Sequence, residues 1–130
     1  MARAWNWVDK RALLLLHDES LAEHGGLPGL RDEGLLDSAL ARPLNLAAYG
    51  DPDVCELAAS YCVGLAKNHP FVDGKKRAAF LALGLFLYSN RQRLTATQAE
   101  AILAVLAIAA SEWDEATLAA WLREHTVPRA

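Results

Sequence analysis

Two apolar runs, residues 78–88 and 101–110, constrain this chain more than any other feature. Both fall well short of the ~20 residues needed to cross a bilayer, so they read as buried core helices. The first is apolar almost all round from Ala78 to Leu87, which marks its helix as the expected central and most buried one. With 130 residues the chain has room for one compact domain, taken as 1–130, and one core. A hydrophobic fraction of 53% excludes a disordered chain, which could not stay open with this much apolar surface.

Local punctuation divides the rest into about six helices. Asp9 is placed to cap a first helix through Leu13, Leu16 and Leu21, ended by Gly25-Gly26. A short second helix is expected over about 32–41, halted near Pro43. Asp51-Pro52 has the form of an N-cap followed by proline at the first helical position. Val54, Leu57, Ala58, Tyr61 and Leu65 then recur along one helical face. Residues 68–73 interrupt before the central helix begins at about Gly74. Thr97-Gln98-Ala99-Glu100 forms a capping box for a fifth helix, and Asp114 caps a sixth with Leu118, Trp121 and Leu122 facing inward. No stretch alternates with strand periodicity for more than a few positions. The expected class is all-α, a compact bundle of about six helices around a buried central helix.

A net charge of -3 argues against direct nucleic-acid binding, which needs a Lys/Arg excess to neutralise phosphates. Cys55 and Cys62 fall on one helix, roughly 10 Å apart by helical rise, and cannot bridge each other. The N-terminus shows neither an apolar signal core nor a cleavage site, so a reduced cytoplasmic protein without membrane contact is expected.

The chemistry gathers in His69-Pro70-Phe71-Val72-Asp73-Gly74-Lys75-Lys76-Arg77. Nine residues hold a base, a carboxylate and three cations where a loop runs into the central helix. Helix N-termini present unpaired N–H groups and partial positive charge, which suit phosphate oxygens. Cations there are unfavourable for the helix itself, so their presence makes most sense if an anion sits against them. Asp73 can hold a magnesium ion that carries phosphate oxygens. His69 can take a proton from an attacking hydroxyl. Taken singly these residues have plain uses: His69 in a loop, Asp73 as an N-cap, Phe71 as a core anchor, the cations on a solvated face. Trp5, Trp7, Trp113 and Trp121 read as packing residues, and His17 and His24 as structural ones. Lys67 could extend a basic mouth, although a solvated lysine is the simpler reading.

As a set, the stretch resembles the motif of the Fic/Doc family, His-Pro-Phe-x-Asp-Gly-Asn followed by Gly-Arg in Fic enzymes and Lys-Arg in Doc toxins. Lys76-Arg77 follows the Doc form. Gly25-Gly26-Leu27-Pro28-Gly29 and residues 31–40 resemble the N-terminal region of Doc proteins, so the likeness covers roughly residues 8–124. The resemblance implies a Fic-like helical fold and the toxin of a toxin–antitoxin pair with a Phd-like antitoxin. Doc proteins transfer the γ-phosphoryl group of ATP to a threonine of elongation factor Tu and stop translation, whereas Fic enzymes usually transfer AMP. On this basis His69 would be the general base and Asp73 the magnesium ligand. Gly74, Lys75, Lys76 and Arg77 would bind the nucleotide phosphates. The antitoxin groove would lie beside the N-terminal helices.

One departure stands out. The family asparagine is Lys75 here, which only donates and brings a full charge. It puts the reaction in question more than the fold. The competing readings are an AMP transferase, against which Lys76 in place of glycine argues, and a catalytically degenerate Fic-fold module that binds antitoxin.

Overall fold

The computed structural model describes residues 4–68, 70–72 and 74–129. The chain folds as α1 (Lys10–His24), α2 (Glu33–Tyr49), α3 (Val54–Asn68), α4 (Lys75–Ser89), β1 (Gln92–Leu94), α5 (Gln98–Ala109), α6 (Glu115–Glu124) and β2 (Thr126–Pro128). The all-α class and the six helices stand. Three expected caps are made: Asp9 accepts from the Arg11 amide, Thr97 from Glu100 and Asp114 from Thr117.

The centre of the bundle is α3 rather than α4. Cys55, every residue from Leu57 to Cys62, and Gly64 to Ala66 are buried, and α3 packs against α2, α4, α5 and α6. Small side chains make this possible. A Cβ on Gly64 would lie 3.3 Å from the backbone of Ala39, so α2 and α3 approach at a point where only glycine fits comfortably. In α4, by contrast, Phe80, Leu81, Gly84 and Leu85 are half-buried and Tyr88 is exposed. Its all-round hydropathy overstated its depth, because it lies towards the outside with α1 on one flank and α5 on the other.

Pro43 does not end α2, which runs six residues further to Tyr49. Proline there removes one helical hydrogen bond and crowds the preceding turn, a penalty of about 3 kcal/mol in a helix interior. Tertiary contacts offset it: Pro43 is buried, and Arg42 beside it is ion-paired to Glu115 and donates to the Ser60 hydroxyl at 3.2 Å. The cap of α3 also lies two residues later than expected. Asp53, not Asp51, accepts from the Glu56 amide at 2.8 Å, and Glu56 accepts from the Asp53 amide at 3.2 Å.

The tryptophans pack, as expected. Trp5 and Trp7 lie 6.1 and 5.9 Å from Phe86, and Trp113 lies 6.2 Å from Trp121. The N-terminal arm is fixed by Asn6 and Asn90, each donating to the other at 2.9 Å, and by the Val8 amide donating to the Tyr61 hydroxyl at 3.1 Å. The sequence reading held no strands, yet β1 and β2 pair antiparallel, with Arg93 opposite Val127. Three residues are too few to show an alternation. Both cysteines are free and buried, and burial pushes the Cys62 thiol up to about 12. No described helix is long and apolar enough to cross a membrane.

Candidate active site

The loop between α3 and α4 is held at three points by residues 29–35. Asn68, the last residue of α3, donates from its amide nitrogen to the Leu35 carbonyl at 3.2 Å. The Pro70 carbonyl accepts from the Arg31 and Asp32 amides at 2.8 and 3.2 Å, and the Val72 amide donates to the Gly29 carbonyl at 3.2 Å. Leu30 and Phe71 therefore form an isolated antiparallel bridge, which sets the 25–31 loop alongside the motif. Phe71 itself is buried, the core anchor expected of it.

Among the described residues, no side chain caps the helix that follows. Gly74 is left-handed, φ 76° and ψ 23°, a conformation glycine adopts without penalty, and no acidic residue occupies the first turn. The first helical bond runs from the Ala78 amide to the Gly74 carbonyl at 2.8 Å. Lys75 opens the helix, Lys76 is exposed and Arg77 half-buried. The first-turn amides, which have no partner within their own helix, thus share one end of α4 with cationic residues.

Of the residues expected in the site, Gly74, Lys76 and Arg77 are brought onto this one turn. His69 and Asp73 lie outside the described residues. Lys67, considered for a basic mouth, donates to the Ser111 hydroxyl. Beside the turn, Lys76 with Leu103, Leu106, Ala107 and Glu112 lines an open cavity of about 420 Å³.

Sequence reasoning missed two parts of the site. The Gly29–Arg31 backbone supplies the second wall, which only pairing in space reveals. His17 is buried against the motif from α1, its ring 4.0 Å from that of Phe71. A signal for it existed: Leu13, His17 and Leu21 recur every four residues, and an imidazole interrupts that otherwise apolar stripe.

Amides and cations on one helix turn, with no acid in that turn, are a combination chemically suited to an anion. The Fic/DOC family model matches residues 7–87, more than half of the chain, and that span contains the whole motif and its supporting loop. The chain belongs to the Fic/DOC family. It is 36% identical over 84 residues to the Protein kinase doc of Escherichia phage P1, covering 64% of this chain and 67% of that one. It is 44% identical over 75 residues to the Toxin Doc of Mycolicibacterium smegmatis, covering 55% and 57%. Both relatives are of the Doc type, and in each the likeness leaves a third or more of the protein unmatched.

Proposed function

We propose that this chain is a Doc-type toxin that transfers the γ-phosphoryl group of ATP to a protein hydroxyl. The observation that carries the reading is the first turn of α4, uncapped and cationic, inside a family whose Doc relatives include one named a protein kinase. Phosphoryl transfer asks a protein chiefly for positioning and charge neutralisation, and this turn offers both. Gly74 and the amides after it receive phosphate oxygens, Lys75, Lys76 and Arg77 hold the remaining charge, and His69 takes the proton of the attacking hydroxyl.

The donor set fits a nucleotide with its magnesium. A first turn of amides and cations suits triphosphate, and magnesium carried largely by phosphate oxygens asks the protein for only one or two carboxylates. Asp73 would be that ligand, and the ion would supply neutralisation of charge on the phosphates. The target in this reading is a threonine of elongation factor Tu in the cytoplasm, and the restraining partner a Phd-like antitoxin bound beside the N-terminal helices.

The test is the intact mass of elongation factor Tu after incubation with the protein, ATP and magnesium, with a His69→Ala control. A gain of one phosphoryl group that the control lacks supports the reading. A gain of AMP replaces it with the Fic-type transfer. No change leaves a different target, if ATP still binds by calorimetry, or a site disabled by Lys75, if it does not.

A further inference from the structure

His17 is only 1% exposed, and nothing in the chemistry above uses it. Its ring lies against Phe71, tilted by 33°. Its Cε1–Nδ1 edge is turned to the start of α4: a Cβ on Gly74 would lie 2.7 Å from Cε1 and 3.6 Å from Nδ1. One side chain of α1 therefore touches the motif at residues 71 and 74, on either side of Asp73. The absence of a side chain at residue 74 is what makes room for the imidazole.

A spacer alone does not call for histidine. Leucine or methionine would fill similar volume, gain more from leaving water and bury no polar atom. What the imidazole adds is a thin ring that fits between Phe71 and a glycine turn, with a polar edge facing that turn. The helix that carries it is itself anchored, since α1 packs on α4 and Lys10 pairs with Glu33 and Asp37 of α2 at 2.8 and 2.7 Å.

We propose that His17 is a positioning residue: through it α1 sets the height of the Gly74 turn, and hence where the first amides of α4 meet a phosphate. This rests on the reading of the site given above. The Val72 and Ala78 amides, bonded to Gly29 and Gly74 carbonyls, report the order of the loop and the turn without any substrate.

The test compares wild type with His17→Leu and His17→Asn by thermal melting, amide exchange, and calorimetric binding of ATP with magnesium. The leucine variant should melt within about 4 °C of wild type. It should nevertheless exchange Val72 and Ala78 about tenfold faster. It should bind ATP about tenfold more weakly, as a small misplacement of the anion turn would dictate. The asparagine variant, which keeps a polar atom near the place of Nδ1, should recover much of both. Should the leucine variant fail to fold, His17→Met, equally apolar and of similar volume, takes its place in the comparison. Unchanged exchange overturns the proposal, and so does exchange that rises equally in α5 and α6, since that marks a merely structural role. If exchange rises at Val72 and Ala78 alone while wild type itself binds no ATP, His17 still positions the turn and the phosphoryl-transfer reading falls.

Discussion

At the start of α5, Thr97 accepts from the Glu100 amide at 3.1 Å and Glu100 accepts from the Thr97 amide at 2.9 Å, so acid and hydroxyl close the helix end. At the start of α4, glycine stands in the cap position and lysine and arginine fill the first turn. The second arrangement gives up a few tenths of a kcal/mol at the cap, where glycine replaces a side-chain acceptor, and sets cations against the positive end of the dipole, each unfavourable by about 0.3–1 kcal/mol. Of the two, only α5 is arranged for the benefit of its own helix. The difference between them separates a stability site from the proposed binding site within one small bundle, and mutations can be chosen to act on one and spare the other.

The largest effect should come from removing the proposed base. His69→Ala is expected to relieve growth arrest and lower transfer by about 10²–10⁴-fold, the range for loss of a positioned general base. Growth of cells expressing each form, together with the mass of the target, measures it. Arrest that persists in the variant would move the protein to a binding module and leave the α4 turn without a catalytic partner.

Next is the turn itself. In Gly74→Ala the new methyl would meet His17 at 2.7 Å on a backbone of φ 76°. Strain of that kind is worth about 1–3 kcal/mol, and the first turn of α4 should move with it. ATP binding should fall more steeply than the melting temperature. Adding His17→Ala removes the collision but not the backbone strain, so the double variant should recover part of the stability and little of the binding. Equal recovery of both would mean that the turn answers only to packing.

These positions also show how much the sequence could disclose. Thr97, Asp114 and Asp9 are local devices, a side chain and an amide a few residues apart, and their helix starts can be read directly. The motif is equally local, which is why Gly74, Lys76 and Arg77 could be named before any fold. Pro43 misled because the contacts that carry α2 past it, Arg42 with Ser60 and Glu115, come from residues 18 and 73 positions away. The depth of α3 escaped for a similar reason: Gly64 and its alanines look unremarkable until Ala39 is placed 3.3 Å away. His17 reaches the motif across more than fifty residues of chain, and Gly29 meets Val72 across more than forty. What failed to show was every contact whose partner lies far along the sequence.

A smaller pair of effects should run in opposite directions. Lys76→Ala removes a cation from the wrong end of a helix, so stability should hold or rise by a few tenths of a kcal/mol. Binding of ATP should weaken, by about 2 kcal/mol for a lost charge-assisted contact. Thr97→Ala should lower stability by about 1 kcal/mol, a fall of about 4 °C in melting temperature, with ATP binding unchanged. Melting curves and calorimetry on the two single variants decide it. If both lose stability and neither loses binding, the contrast between α4 and α5 has no functional content.

The smallest effect is in acid. Thr97 holds the Glu100 carboxyl below its ordinary value through its amide and hydroxyl, and Thr117 does the same for Asp114. Burial pushes the Asp53 carboxyl up, but the hydrogen bond from Arg123 and the amides of Glu56 and Cys55 outweigh it, so Asp53 too is lowered. A carboxyl lowered in the fold stabilises fully above its unfolded value and loses that contribution as pH falls through the folded one. The caps of α3, α5 and α6 should therefore hold from neutrality down to about pH 4 and loosen progressively below it. Gly74 carries no titrating side chain, so the same acid should leave the Gly74–Ala78 bond of α4 governed by its neighbours rather than by its cap. Amide exchange followed from pH 6 to 3, corrected for intrinsic rates, should show the Thr97 and Thr117 amides, which donate to the Glu100 and Asp114 carboxylates, losing protection before Ala78. If Ala78 opens first, the turn depends on a carboxylate beyond its own cap, and the uncapped reading of α4 has to be replaced by one in which an acid closes it.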